Sequence, residues 1–80
     1  MSARQQNEKK FGNWQDLPGG GRRYGLEVSG RHGWKARYVK EVDAAEKTGR
    51  FYQEIYDGSG QWVEIHEKYP MDKGHQKPSV

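Results

Sequence analysis

A β-hairpin over residues 51–70 constrains the fold of this chain more than any other stretch. Two runs rich in aromatic and β-branched residues, 51–56 and 62–69, flank a turn cluster that reads Asp-Gly-Ser-Gly. Such runs favour strands, and a glycine between them can adopt positive φ without a Cβ penalty. Pro70 stops the second strand because proline cannot donate a ladder hydrogen bond. The sequence therefore predicts two antiparallel strands joined by a tight turn.

The length of this turn decides which side chains share a face, because a shift of one residue moves every side chain of a strand to the opposite face. We predict a three-residue loop in which Gly60 is the left-handed residue of a G1 bulge. This register aligns the apolar side chains on one face: Phe51, Ile55, Val63 and Ile65. It gathers polar and aromatic side chains on the other: Tyr52, Glu54, Tyr56, Trp62, Glu64 and His66. A two-residue loop would mix apolar and charged groups on both faces.

Two further strands and a helical segment complete the predicted fold. Apolar and polar residues alternate over 23–28 and 34–42 with the period of a half-buried strand. Short reversals between strands make neighbouring strands antiparallel. A helical turn over residues 11–17 would cover one face with three apolar side chains: Phe11, Trp14 and Leu17. The predicted fold is therefore mainly β, a four-stranded antiparallel β-meander with a short N-terminal helix or turn.

One folded domain is expected, with a thin core. Eighty residues with a hydrophobic content of 31% supply little apolar material to bury. Residues 1–21 are predicted as a flexible arm around the helical turn, 22–70 as the sheet domain, and 71–80 as a flexible tail. The apolar face of the sheet needs a cover, since soluble monomers rarely expose such an area. The N-terminal segment, curling of the sheet and a second copy of the chain are the candidates.

Several partner classes are excluded by what the sequence lacks. No run approaches the roughly 20 apolar residues of a membrane helix, and the first residues lack a hydrophobic signal segment. We therefore expect a cytoplasmic protein without a membrane partner. The absence of cysteine excludes disulfides and thiolate ligands. No cofactor and no metal are expected, because the three histidines lie far apart: His32, His66 and His75.

Charge is distributed unevenly along the chain. Residues 22–40 carry six basic side chains and one carboxylate, a net charge of +5. Residues 41–70 carry three basic and seven acidic side chains, a net charge of -4. Neighbouring strands of opposite sign would attract one another across the sheet. Alternatively, the first stretch forms a basic patch for an anionic partner.

The chain resembles a family of short prokaryotic proteins of unknown function. The resemblance lies in 31–43, 51–56, 63–70 and the pair Gly74-His75, and so spans about residues 31–75. It implies a small free-standing protein. It implies no fold, ligand or catalytic residue.

Nucleic-acid binding is the first function that the polar and aromatic face suggests. Aromatic side chains on a sheet stack on the bases of RNA or single-stranded DNA, while basic side chains neutralise phosphates. The predicted contacts are Arg22, Arg23, Lys35, Arg37, Tyr52, Tyr56 and Trp62. Glu54 and Glu64 oppose this interpretation because carboxylates repel phosphates.

Two alternatives use the same face. It could be a protein-interaction or homodimerisation surface, since tyrosine, tryptophan and arginine are enriched at interface hot spots. It could also be the site of a metal-independent endoribonuclease, with Glu54, His66 and Arg37 supplying a base, an acid and a phosphate-binding cation. In the predicted register Tyr52 lies opposite His66, and Glu54 is diagonal to it. The sequence favours a cofactor-free binding module over an enzyme.

Overall fold

The computed structural model describes residues 2–70 and 74–76 as one antiparallel sheet with a short helix. The elements are α1 (Ala3–Phe11), β1 (Asn13–Asp16), β2 (Arg22–Ser29), β3 (Lys35–Val42), β4 (Thr48–Tyr56), β5 (Trp62–Tyr69) and β6 (Gly74–Gln76). Each strand pairs with the next along the chain. The prediction of a mainly β, antiparallel meander is confirmed. The four predicted strands are β2 to β5, and β1 and the three-residue β6 extend the two edges.

Helix α1 begins earlier than predicted, inside the segment expected to be a flexible arm. The Ser2 hydroxyl accepts a hydrogen bond from the Gln5 N–H at 3.1 Å, and the Gln5 side chain accepts one from the Ser2 N–H at 3.0 Å. This reciprocal pair is a capping box. Gly12 ends the helix in the left-handed conformation, with φ 79°. The predicted helical turn over 11–17 is wrong, because the chain after Gly12 enters β1. Most of the predicted tail, 71–73 and 77–80, lies outside the described residues.

The strand register defines two faces of the sheet, since opposed residues of antiparallel strands point the same way. The helix-bearing face carries Tyr24, Leu26, Val28, Ala36, Tyr38, Val42, Phe51 and Ile55. The open face carries Arg23, Glu27, Lys35, Arg37, Val39, Glu41, Arg50, Tyr52, Glu54 and Tyr56, and of these Val39 is buried. The core lies between α1 and the helix-bearing face, where the Phe11 ring centroid is 5.7 Å from Tyr24 and 6.3 Å from Phe51.

The turn between β4 and β5 has the predicted form. Gly60 has φ 86°. Its N–H donates to the Asp57 carbonyl at 3.0 Å, and the Asp57 N–H donates to the Gln61 carbonyl at 2.9 Å. The carboxylate of Asp57 accepts further hydrogen bonds from the N–H groups of Ser59 and Gln61, at 2.9 and 3.0 Å. The prediction of a three-residue loop with Gly60 in the left-handed region is confirmed.

A bulge next to this turn inverts the predicted faces of β5. Tyr56 pairs with Trp62, but Ile55 pairs with Glu64, so Val63 is an extra residue in the ladder. Beyond the bulge, Gln53 lies opposite His66, Glu54 opposite Ile65, and Tyr52 opposite Glu67. The predicted opposition of Tyr52 and His66 is therefore wrong. Glu64 and His66 share the helix-bearing face, and Ile65 lies on the open face.

Cross-strand electrostatics give a physical reason for the bulge. Without it, the three-residue loop would place Glu54 opposite Glu64 and Arg50 opposite Lys68. Like charges in direct opposition destabilise a sheet. With the bulge, Glu54 lies opposite Ile65 and Arg50 forms an ion pair with Glu67.

Gly21 allows close backbone contact where the chain enters β2. A Cβ atom at this position would lie 2.4 Å from the carbonyl oxygen of Val42, while the φ of -77° is an ordinary value. We expect Gly21→Ala to lower the free energy of unfolding by about 1–3 kcal/mol, as overpacking does, in urea denaturation. Gly25→Ala is the matched control, because its added Cβ would approach no atom closer than 3.9 Å. Equal losses in both variants would contradict this explanation.

Candidate functional site

The open face brings together most of the predicted nucleic-acid contacts. Lys35 lies opposite Tyr56 and Arg37 lies opposite Glu54 across β3 and β4. Tyr52 lies on the same face of β4 as Tyr56. Burial raises the pKa of the hydroxyls of Tyr52 and Tyr56 above their ordinary value. Trp62 pairs with Tyr56 at the end of this face, and its indole N–H donates to the Glu64 carbonyl at 2.9 Å.

Ion pairs occupy much of the positive charge on this face. Arg23 Nε lies 2.9 Å from the Glu41 carboxylate on the neighbouring strand. Arg50 forms an ion pair with Glu67 across β4 and β5, and its guanidinium lies 4.2 Å from the centroid of the Tyr52 ring. The uneven charge of the sequence thus appears here as attraction between neighbouring strands. A phosphate at Arg23 would have to compete with a carboxylate that is already in place.

Arg22 lies on the opposite face from Arg23 and faces the helix. Its Nη1 is 2.6 Å from the Glu8 carboxylate, and its Nε is 3.1 Å from Asp16. The hydrogen bond to Glu8 raises the pKa of Arg22 above its ordinary value. The guanidinium also lies 5.2 Å from the centroid of the Trp14 ring. Arg22 therefore joins α1 to β1 and β2 instead of extending the open face.

The three residues considered for RNA cleavage do not share a surface. Arg37 and Glu54 are directly opposed on the open face. His66 lies opposite Gln53 on the helix-bearing face, so the sheet separates it from Glu54. The Val63 bulge causes this separation, and the predicted catalytic arrangement is wrong.

Neither a cluster of metal ligands nor a membrane-crossing helix is found among the described residues. Within residues 2–70 and 74–76, no group of three or more histidine, aspartate or glutamate side chains is placed to hold a metal ion. In this described part of the chain, no helix combines the length and apolar character that crossing a membrane requires.

Helix α1 covers only one end of the helix-bearing face. Its last residue, Phe11, packs on Tyr24 and Phe51. Beyond this contact, three apolar side chains form what we call the uncovered strip: Val28, Ala36 and Ile55. Val28 is 44% exposed and the other two are only partly buried. The N-terminal segment thus supplies part of the predicted cover, and the strip remains accessible.

A polar cluster centred on Glu46 holds α1 against the sheet, and sequence reasoning missed it. The Glu46 side chain is 7% exposed. Its carboxylate accepts hydrogen bonds from Tyr24 Oη at 2.8 Å, Asn7 Nδ2 at 3.0 Å and Arg4 Nε at 3.1 Å. Lys40 Nζ donates to Asn7 Oδ1 at 3.0 Å. Burial acts to raise the pKa of Glu46, but these hydrogen bonds outweigh it and hold the pKa below its ordinary value.

The turn that carries Glu46 repeats the geometry of the β4–β5 turn. The Glu46 N–H donates to the Asp43 carbonyl at 2.9 Å, as Gly60 does to Asp57. Glu46 has φ 64°, in the left-handed region that Gly60 occupies in the other turn. A glutamate is costly there, by about 1 kcal/mol. The hydrogen bonds of its side chain explain why a non-glycine residue stands at this position.

Comparisons with known proteins assign no function to these surfaces. The resemblance to a family of short prokaryotic proteins stays a prediction. The chain matches no protein-family model, no curated protein and no solved structure.

Proposed function

We propose that this protein is a self-associating interaction module that pairs through the uncovered strip. The observation that carries the proposal is a row of apolar side chains in direct cross-strand register, Val28, Ala36 and Ile55, on a face that α1 leaves open. Contiguous exposed apolar surface of this kind marks interaction sites in soluble proteins.

A second copy of the chain is the partner that fits best, because the core is thin. Among the described residues, the buried apolar side chains are Phe11, Tyr24, Val39 and Val42. Small domains with little buried apolar area commonly gain stability by oligomerisation. Two sheets pack face to face at about 10 Å, which is close to the diameter of a helix. The partner's sheet, packed on this face, would therefore lie at about the same height above it as α1 does. The two can thus lie side by side.

We expect Val28→Asp to weaken self-association at least about tenfold, since a two-fold interface would bury two unpaired carboxylates. Sedimentation equilibrium over a range of protein concentrations measures the effect. Trp14→Asp is the matched control, because Trp14 is also 44% exposed but lies on β1 outside the strip. A monomeric mass for the unmodified protein at every concentration would overturn the proposal.

Nucleic-acid binding through the open face stays a prediction with weaker support. Lys35, Arg37, Tyr52 and Tyr56 share this face, which favours stacking and phosphate contact. However, the described arginines beside them are engaged in ion pairs, as Arg23 is with Glu41. Binding of a labelled single-stranded RNA that weakens steeply with salt would support this second function.

A further inference from the structure

A pocket of 310 Å³ opens between the end of α1 and the sheet, next to the uncovered strip. Six side chains line it: Lys10, Phe11, Leu26, Tyr38, Phe51 and Lys68. Its volume is at the lower end of the range for small-molecule sites, about 300–1,000 Å³. The pocket can therefore hold a ligand of roughly the size of a short hydrocarbon chain or a substituted aromatic ring.

The floor of the pocket is apolar and is fixed by packing and hydrogen bonding. The Phe51 ring contacts Phe11 edge-on at 6.3 Å between centroids and Tyr38 at 6.5 Å. The Tyr38 hydroxyl accepts a hydrogen bond from Gln53 Nε2 at 3.1 Å, which holds the phenol in place. An apolar ligand would therefore meet a preformed aromatic surface.

Two ammonium groups, which form what we call the rim, lie over the aromatic rings of the pocket. Lys68 Nζ lies 5.2 Å from the Tyr38 ring centroid and 5.7 Å from that of Phe51, and Lys10 Nζ lies 5.6 Å from that of Phe11. In the described part of the chain, the cation of each ion pair is an arginine. Neither Lys10 nor Lys68 has a carboxylate of a described residue within 4.0 Å. The rim therefore presents positive charge toward whatever occupies the pocket.

We infer that this lysine-rimmed pocket binds a small apolar carboxylate. The hydrocarbon or aromatic body lies on the floor formed by Tyr38 and Phe51, and the carboxylate lies between Lys10 and Lys68. A neutral ligand would leave both ammonium groups without a counter-charge, and a highly charged ligand would leave the apolar floor unused. The inference is independent of self-association through the uncovered strip.

Octanoate is a suitable probe, with 1-octanol as its neutral counterpart of equal chain length. We expect the unmodified protein to bind octanoate about tenfold or more tightly than 1-octanol, because two ammonium groups attract the carboxylate. Backbone amide shifts of Phe11, Leu26 and Phe51 in an NMR titration report binding at this pocket. Equal affinities for the two probes, or shifts confined to other residues, would overturn the inference.

Substitutions at the rim separate this site from general charge effects. In the double variant Lys10→Gln with Lys68→Gln, octanoate should lose its advantage over 1-octanol. Lys9→Gln is the control for the Lys10 part of this variant, since it removes one positive charge from the same helix turn but does not line the pocket. An equal loss in Lys9→Gln would count against the site. Val28→Asp should leave octanoate binding intact, so a failure of self-association and a failure of ligand binding are distinguishable.

Discussion

Replacing Glu46 with glutamine is expected to lower the free energy of unfolding by about 2–4 kcal/mol at neutral pH. The carboxylate accepts hydrogen bonds from Tyr24, Asn7 and Arg4, which lie on β2 and α1. An amide of the same size cannot accept from all three donors and neutralise Arg4. Urea denaturation of both proteins measures the difference. Glu41→Gln is the control, because its ion pair with Arg23 is more exposed and should contribute less than about 1 kcal/mol.

The same substitution should change how stability depends on pH. The folded-state pKa of Glu46 lies below its ordinary value of 4.5. Its contribution is therefore fully present above pH 4.5 and is lost as the pH falls through the lower, folded-state pKa. In the Glu46→Gln variant, the free energy of unfolding should not show the part of its fall at low pH that protonation of Glu46 causes. Identical slopes of stability against pH below 4.5 in the two proteins would contradict the assignment.

Two truncations separate backbone strain at Glu46 from side-chain bonding. Glu46→Ala removes the side-chain hydrogen bonds but keeps a Cβ atom in the left-handed region. Glu46→Gly removes the hydrogen bonds and the Cβ atom. We expect the glycine variant to be the more stable of the two by about 1 kcal/mol. Both should remain less stable than the unmodified protein, since the lost hydrogen bonds exceed the relieved strain.

Removal of the Phe11 ring is expected to have the largest effect on stability, a loss of about 3–5 kcal/mol in Phe11→Ala. Phe11 is 2% exposed and contacts Tyr24 and Phe51. It is the only apolar side chain of α1 that enters the core within the described residues. The helix should therefore detach at a lower urea concentration, which circular dichroism at the helix band would detect.

Matched variants make this expectation specific to burial. Phe11→Leu keeps much of the volume and should cost less than about 1.5 kcal/mol. Trp14→Ala removes a larger side chain that is 44% exposed, and it should also cost less than Phe11→Ala. Similar losses for Phe11→Ala and Trp14→Ala would show that the helix is not anchored through the Phe11 ring.

Local chemistry made the central hairpin predictable, whereas its register depended on the opposing strand. Asp57 and Gly60 determine their turn through contacts within five residues of sequence. The bulge at Val63 depends on which charges would otherwise oppose one another, so both strands must be considered together. The predicted register places Glu54 directly opposite Glu64. This pair of like charges is the sequence signal that could have revealed the bulge.

Helix α1 and the Glu46 cluster escaped prediction for different reasons. The helix buries a single aromatic ring, so it lacks the apolar periodicity that indicates a helix. Its capping residues, Ser2, Gln5 and Gly12, were the available signal. Glu46 meets its partners Tyr24, Asn7 and Arg4 from 22, 39 and 42 residues away in sequence. No local pattern reports contacts across such separations.

The extra residue at Val63 also bears on how this sheet could evolve. Deletion of Val63 would remove the bulge and leave Glu64 opposite Ile55 and His66 opposite Gln53, so the rest of β5 would keep its orientation. If Val63 were instead kept and paired with Ile55, Glu64 and His66 would move to the side of Tyr52 and Glu54, and Glu54 would oppose Glu64. The strand can therefore lose its extra residue without exchanging its surfaces, whereas a change in pairing would bring like charges together.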